Sequence, residues 1–188
     1  MRGALDVHRE LLARDVPHEV VRLRGTTAAD ADDLPRALGV PAQACVAVRC
    51  YATDVGLVAV VVQAGVVPEP RALLDAVGAR TLRPATADEV NAGTDYAAGL
   101  VSPVALPDGV LLVADAALQA REVLYCPVGE SGVVLGIRAA ALLGATGALV
   151  AALSALPLPP PGPQPWSGGA RVIDLDRRTD RGTPRRTG

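Results

Sequence analysis

Lysine is absent from this 188-residue chain, and all 18 basic residues are arginine. Arginine stays protonated at any working pH, so it clamps anions but neither transfers protons nor attacks as an amine. Schiff-base chemistry and a P-loop, both of which need lysine, are therefore excluded. Phenylalanine is also missing, and Tyr51, Tyr96, Tyr125 and Trp166 are the only aromatic residues. A core built with so few rings must come from Val, Leu and Ala, and stacking platforms for nucleic-acid bases are not expected.

Other scarcities narrow the chemistry further. The three cysteines, at 45, 50 and 126, form neither a C-x-x-C pair nor an even framework, which suits a reducing, cytoplasmic setting and a role as small core residues. The two histidines, His8 and His18, come with no second cluster of ligands, and neither G-x-G-x-x-G nor H-E-x-x-H occurs, so neither a cofactor nor a metal is expected. Asp6, His8 and Arg9 interrupt the N-terminus, so no signal peptide is expected. The uncharged run Ala139–Leu156 is 18 residues long but broken by Gly144, Thr146, Gly147 and Ser154, which favours buried core over a membrane span.

Charge is distributed unevenly along the chain. Residues 171–188 hold six arginines against three aspartates, leaving 12 arginines against 17 acids in the rest. The body is no generic polyanion binder, so DNA is not an expected partner, and any contact with nucleic acid should be local.

The pattern of the chain predicts a mixed α/β order with adjacent strand pairs. Helix is expected over 4–14, strand at His18–Leu23, and a helix opened by the capping box Thr27-Ala-Ala-Asp30 and closed at Gly39. Strands at Cys45–Tyr51 and Leu57–Gln63 are joined by a five-residue connection. A helix over Pro70–Val77, a strand over Ala79–Arg83 and a second capping box at Thr86-Ala-Asp-Glu89 follow. Gly93–Pro107 reads as loop, and strands follow at Val110–Ala114, Glu122–Pro127 and Val133–Ile137. A helix near Ala139–Leu143 and a strand at Ala148–Leu153 complete a domain over 1–154. The proline-dominated stretch Leu156–Pro165 and the basic end make 155–188 a disordered tail, either a solvated linker or an arm for RNA phosphates.

Three segments stand out as candidates for chemistry: Thr94-Asp-Tyr-Ala-Ala-Gly-Leu-Val-Ser-Pro103, Val110-Leu-Leu-Val-Ala-Asp115 and Val128-Gly-Glu-Ser-Gly132. A glycine loop with exposed amides, a strand ending in a carboxylate and a second glycine loop can converge on one pocket. Gly129-Glu-Ser-Gly132 lacks the spacing of a nucleophile elbow, so Ser131 is not expected to attack. Taken with His18-Glu-Val-Val-Arg-Leu23, Thr27-Ala-Ala-Asp30 and Ala37-Leu-Gly-Val-Pro41 in the same order, these segments resemble the YbaK/ProX family of trans-editing aminoacyl-tRNA deacylases over about Leu5–Leu153.

That resemblance implies a single domain with a mixed, mostly antiparallel sheet or partial barrel surrounded by helices. It also implies hydrolysis of the ester between a wrong, alanine- or cysteine-sized amino acid and the terminal ribose of tRNA. The implied partners are a mischarged tRNA acceptor end and a synthetase, because one methylene in an apolar pocket discriminates by only ~1–3 kcal/mol and a second sieve is needed. The backbone amides of Gly99 and Leu100 would stabilise the oxyanion, with water attacking and no side-chain nucleophile. Val46, Tyr96, Ser102, Pro103, Asp115, Gly129, Ser131 and Gly132 would line the substrate site.

Each of these positions also has a purely structural reading: Gly99, Ser102 and Pro103 as turn residues, and Asp115 as a helix cap. The chain departs from the family at three points. Val46 stands where the family usually keeps a lysine, Glu130 and Ser131 where it tends to place a basic residue, and Gly99-Leu100 where it has Gly-Gly. Strand alternation sends Arg49 to the face opposite Val46, which makes it a weak substitute. Two functions follow: an editing hydrolase with a lysine-independent site, or a noncatalytic module that binds an aminoacyl end or small ligand.

Overall fold

In the computed structural model the described residues are 1–23 and 27–154, together with the backbone of Arg171–Asp174. Helix α1 (Ala4–Ala13) starts where Asp6 accepts the Gly3 N–H, and buries Val7 and Leu11, one turn apart, on its inner face. Strand β1 (His18–Arg22) follows. It lies in the first sheet between β7 (Val133–Arg138) and β9 (Arg171–Asp174), with β6 (Val123–Pro127) beyond β7. The second sheet has the order β4 (Leu82–Pro84), β2 (Val46–Thr53), β3 (Gly56–Gln63), β5 (Leu111–Asp115) and β8 (Leu149–Ala151). Pairs β1–β7, β6–β7, β2–β3 and β2–β4 are antiparallel, whereas β3–β5, β5–β8 and β1–β9 are parallel.

A single bridge between Cys45 and Tyr125 joins the two sheets at one corner, so the described residues curve toward a barrel without closing one. Strand alternation assigns the faces. Val46, Val48, Ala59 and Val61 enter the core shared with Leu124, Leu135 and Ile137 of the first sheet. Val58, Val60 and Val62 face the other way, onto Leu73 of α3 (Pro70–Val77). Ala47 lies with Leu34 of α2 (Leu34–Leu38), under a small third cluster. Helix α4 (Ala87–Thr94) and α5 (Ala139–Thr146) add Val90 and Leu142 to the shared core.

Local chemistry corrects several expected boundaries. The helix expected to be capped at Thr27 begins instead at Asp30, whose side chain accepts the Asp32 N–H and opens a 3-10 turn that runs into α2. The β2–β3 connection has two unpaired residues rather than five, because Thr53 pairs with Gly56 and its Oγ1 donates to the Gly56 carbonyl at 2.8 Å. Strand β4 starts at Leu82, not Ala79, since Asp54 takes the Arg80 and Thr81 N–H groups at 2.8 and 3.1 Å. The glycine-containing end of the apolar run is still helix up to Thr146, and Gly147 stops it at φ 61°. Among the described residues no helix is long and apolar enough to cross a membrane. The tail expected to be disordered, 155–188, lies outside the described residues apart from the backbone of β9.

The two histidines pair with each other. His18, fully buried, has Nδ1 2.7 Å from the Val16 carbonyl, so that nitrogen carries the proton and Nε2 accepts from His8 Nδ1 at 2.7 Å. Burial is the main cause that holds the His18 pKa below its ordinary value. The unfolded chain then binds a proton that the native state does not, so stability should be full above about pH 6.5 and fall as the pH drops below it. Thermal melts between pH 7.5 and 5 are expected to show this decline, and His18→Gln should flatten it. An equal pH slope in both proteins would remove His18 as its source.

Candidate functional site

The first glycine loop is a type II turn over Ala97–Leu100: the Leu100 N–H donates to the Ala97 carbonyl at 3.0 Å, and Gly99 supplies the positive φ, 86°, that the third position demands. Asn91 Oδ1, on α4, accepts the Ala98 N–H at 2.8 Å and ties the turn to that helix. The Leu100 N–H is spent inside the turn, whereas the Gly99 N–H has no hydrogen-bond partner among the described residues.

Gly99 lines a small cavity of about 240 Å³ with Asp30, Val48, Arg49, Cys50, Val90 and Val101 among its walls. Asp30 closes in on the glycine, because a Cβ at Gly99 would lie 2.7 Å from its Oδ2. Sequence reasoning took Asp30 only as part of a capping box, and the structure gives it both the cap and the cavity wall. Arg49 also lines the cavity, but its Nη2 meets both carboxylate oxygens of Asp32 at 2.7 and 2.6 Å. Its charge is thereby matched, so it is not a free cation in place of the family lysine. Burial pushes the Cys50 thiol up to about 11, which keeps it protonated and poorly nucleophilic at neutral pH.

The second glycine loop forms a separate, wider cavity of about 730 Å³ that gathers Arg22, Leu23, Leu100, Gly129, Glu130, Ser131 and Gly132. The two loops are stitched together, since the Gly129 N–H donates to the Leu100 carbonyl at 2.8 Å. The Ser131 and Gly132 carbonyls accept from Ala28 and Leu23 at 2.9 and 2.8 Å, which anchors the loop to the segment after β1. Gly129 has φ 85°, and a Cβ there would lie 2.5 Å from the Arg2 carbonyl oxygen and 2.9 Å from the Tyr96 ring. Only glycine fits this position. Glu130, where the family has a cation, accepts the Ala4 N–H at 2.8 Å and so binds the N-terminus of α1.

The remaining expected site residues do not line the Gly99 cavity. Tyr96 is fully buried, its hydroxyl donates to the Val104 carbonyl at 2.8 Å, and burial pushes its pKa up to about 12. Ser102 is also fully buried and accepts the Val104 N–H at 3.2 Å. Pro103 lines a third cavity, about 380 Å³, with Arg2, Glu10 and Arg14, which includes neither Gly99 nor the second loop. Asp115 ends β5 and is 1% exposed; it accepts from Ala117 N–H at 3.2 Å, Leu153 N–H at 3.3 Å and the Ser154 hydroxyl. Val46 is 0% exposed in the shared core and is not part of the Gly99 cavity wall. Among the described residues no group of three or more His, Cys, Asp and Glu is arranged to hold a metal.

The mixed two-sheet α/β scaffold thus places a glycine turn at the wall of a small cavity. The chain belongs to the aminoacyl-tRNA editing domain family, whose model matches residues 26–145. Solved structures agree with this fold. A hypothetical protein is 28% identical, with TM-score 0.72, covering 78% of this chain and 97% of that one. A candidate trans-editing enzyme for prolyl tRNA synthetase is 24% identical, with TM-score 0.66, covering 78% of this chain and 96% of that one. A scaffold used for computational grafting of epitopes is 25% identical, with TM-score 0.69, covering 80% and 95%. No curated protein matches the sequence.

Proposed function

We propose that this chain hydrolyses the ester linking an alanine- or cysteine-sized amino acid to the terminal ribose of a mischarged tRNA. The observation that carries the reading is the Gly99 N–H, without a hydrogen-bond partner among the described residues, in a residue that lines a cavity of only about 240 Å³. A pocket of that size, walled by Val48, Val90 and Val101, suits a small side chain and excludes a large one. The Gly99 amide stabilises the oxyanion that develops when water adds to the ester carbonyl. Asp30, beside it, is the counter-charge for the substrate's α-ammonium group. No side-chain nucleophile is needed, consistent with a Cys50 thiol held protonated. The wider cavity at Gly129–Gly132 adjoins through Leu100 and accommodates the ribose and the polynucleotide end.

A panel of mischarged tRNAs tests this. Alanyl- or cysteinyl-tRNA is expected to deacylate faster with the protein than in buffer, with bulky aminoacyl-tRNAs spared, and Asp30→Asn should raise KM by about tenfold for loss of one charged contact. Acceleration of none of the panel would sink the hydrolase. The commitment of the Leu100 N–H to Ala97 supports a second reading, a noncatalytic module that binds the aminoacyl end. Saturable tRNA binding without turnover is the result that would favour it.

A further inference from the structure

We propose that Arg2 is a positioning residue for the hydrolysis: it holds the loop from Asp95 to Ala105 at both ends and so keeps the Gly99 N–H where the oxyanion forms. This inference rests on the reading of Gly99 as the oxyanion donor. Arg2 lines neither the Gly99 cavity nor the wider one at Gly129–Gly132, so it acts from behind the loop and not on the substrate.

Backbone conformation shows what has to be held. Among the described residues three other than glycine have positive φ: Asp15, Asp95 at 59° and Ala105 at 56°. The last two bracket the Gly99 loop. The left-handed region is disfavoured for any residue with a Cβ, more so for alanine than for aspartate, whose side chain can bond locally. Such a residue stays there only where its surroundings over-determine it.

Arg2 takes the carbonyl oxygen of both. Its backbone N–H donates to the Asp95 carbonyl at 2.6 Å, and its Nη1 donates to the Ala105 carbonyl. Its Nε lies 3.8 Å from the Asp95 carboxylate. Between these two ends, the Tyr96 hydroxyl donates to the Val104 carbonyl at 2.8 Å and the Leu100 carbonyl accepts the Gly129 N–H at 2.8 Å. The Arg2 carbonyl oxygen in turn abuts Gly129, where a Cβ would lie 2.5 Å from it. One residue therefore grips the first glycine loop at both ends and packs against the second. A guanidinium offers Nε and Nη1 to two partners from one rigid plane, which a lysine ammonium on its flexible stem does not. Without that fork Ala105 relaxes out of the left-handed region and the Gly99 turn shifts with it.

Three variants of the full chain test this: Arg2→Met, Arg2→Lys, and Arg2→Met with Ala105→Gly. Methionine keeps an unbranched stem without the charge or the donors. Lysine keeps the charge without the fork, and is read in the same way should Arg2→Met not fold. Each is compared with wild type for kcat and KM on alanyl-tRNA and on a short alanyl-adenosine ester that carries no phosphate, and for amide hydrogen exchange.

In both single variants kcat should fall about tenfold on either substrate, since a misplacement of about 1 Å is enough to cost that much, with KM within about twofold. Exchange of the Leu100 N–H, which closes the Gly99 turn, should quicken at least about tenfold, while amides of α3, across the second sheet, keep their wild-type rates. Glycine enters the left-handed region without a Cβ penalty, so Ala105→Gly should recover part of the kcat lost in Arg2→Met. Wild-type kcat in a folded Arg2→Met protein would overturn the proposal, whatever its Tm. A KM rise confined to alanyl-tRNA would also overturn it, because Arg2 would then be an RNA contact. Loss of kcat with unchanged Leu100 exchange, or with no recovery by Ala105→Gly, would place the effect outside this loop and sink the idea equally. If wild type hydrolyses neither substrate, the hydrolase reading fails, and exchange at Leu100 still decides whether Arg2 holds the turn.

Discussion

Gly99→Val is expected to lower the deacylation rate by at least about 100-fold while leaving a folded protein. The loss has two sources that act on the same atom. A side chain at φ 86° is strained by about 1–2 kcal/mol, and its Cβ would start 2.7 Å from Asp30 Oδ2, so the turn or the carboxylate must shift. Either movement takes the Gly99 N–H away from the developing oxyanion, and removal of one such donor costs about 10²–10³ in rate. Far-UV circular dichroism and a thermal melt establish that the variant folds. The double variant Gly99→Ala with Asp30→Ala relieves the clash but not the backbone strain, and should recover part of the kcat lost in Gly99→Ala alone while its KM stays raised by loss of the Asp30 charge. A Gly99→Val protein with wild-type turnover would remove this amide from the mechanism.

Asp115→Ala should act in the opposite manner, with a large loss of stability and little change in kcat for the protein that remains folded. Its carboxylate is almost wholly enclosed and accepts from two backbone N–H groups and the Ser154 hydroxyl. Truncation leaves one buried and two part-buried donors without their acceptor, at a cost of about 2–5 kcal/mol. For a domain of this size that corresponds to a fall in Tm of roughly 10 °C. The residue holds the end of β5 to the segment after β8, so the effect reports on the scaffold of the second sheet. Asp115→Asn keeps an acceptor and should recover about half the stability. A drop in kcat at unchanged Tm would return Asp115 to the substrate site.

Burial also changes what Val46 can reveal. A lysine introduced there would place an ammonium group among Val48, Val61 and Leu124 in a core position with no solvent contact. Such a group loses its charge or unfolds its surroundings, so restoring the family residue at this position does not restore the family chemistry.

Much of the scaffold was legible in the residue pattern. Pro70 and Gly78 bracket α3 at the expected positions, and Thr86 with Glu89 forms the expected reciprocal cap of α4. These are local signals, satisfied by residues three or four apart. The start of β4 was misjudged because Asp54 bonds Arg80 and Thr81, a contact across 26 residues that no local pattern encodes, whereas the β2–β3 connection is tighter than expected because Thr53 pairs with Gly56. The glycine turn was visible at Gly99, but the choice of which amide stays free was not. It depends on the Ala97 carbonyl folding back onto Leu100.

By itself the sequence determined the chemistry that is closed to this protein, the order of its elements and the glycine loops at 99 and 129–132, because composition, capping and turn preference act over a few residues. The tertiary structure alone decided which of those residues meet. It brought Asp30 against Gly99, put Val46 and Asp115 into the scaffold, neutralised Arg49 with Asp32 and laid β9 parallel to β1. Those outcomes depend on strand register and on packing between two sheets, and a shift of one residue in either would reverse the face that each side chain presents.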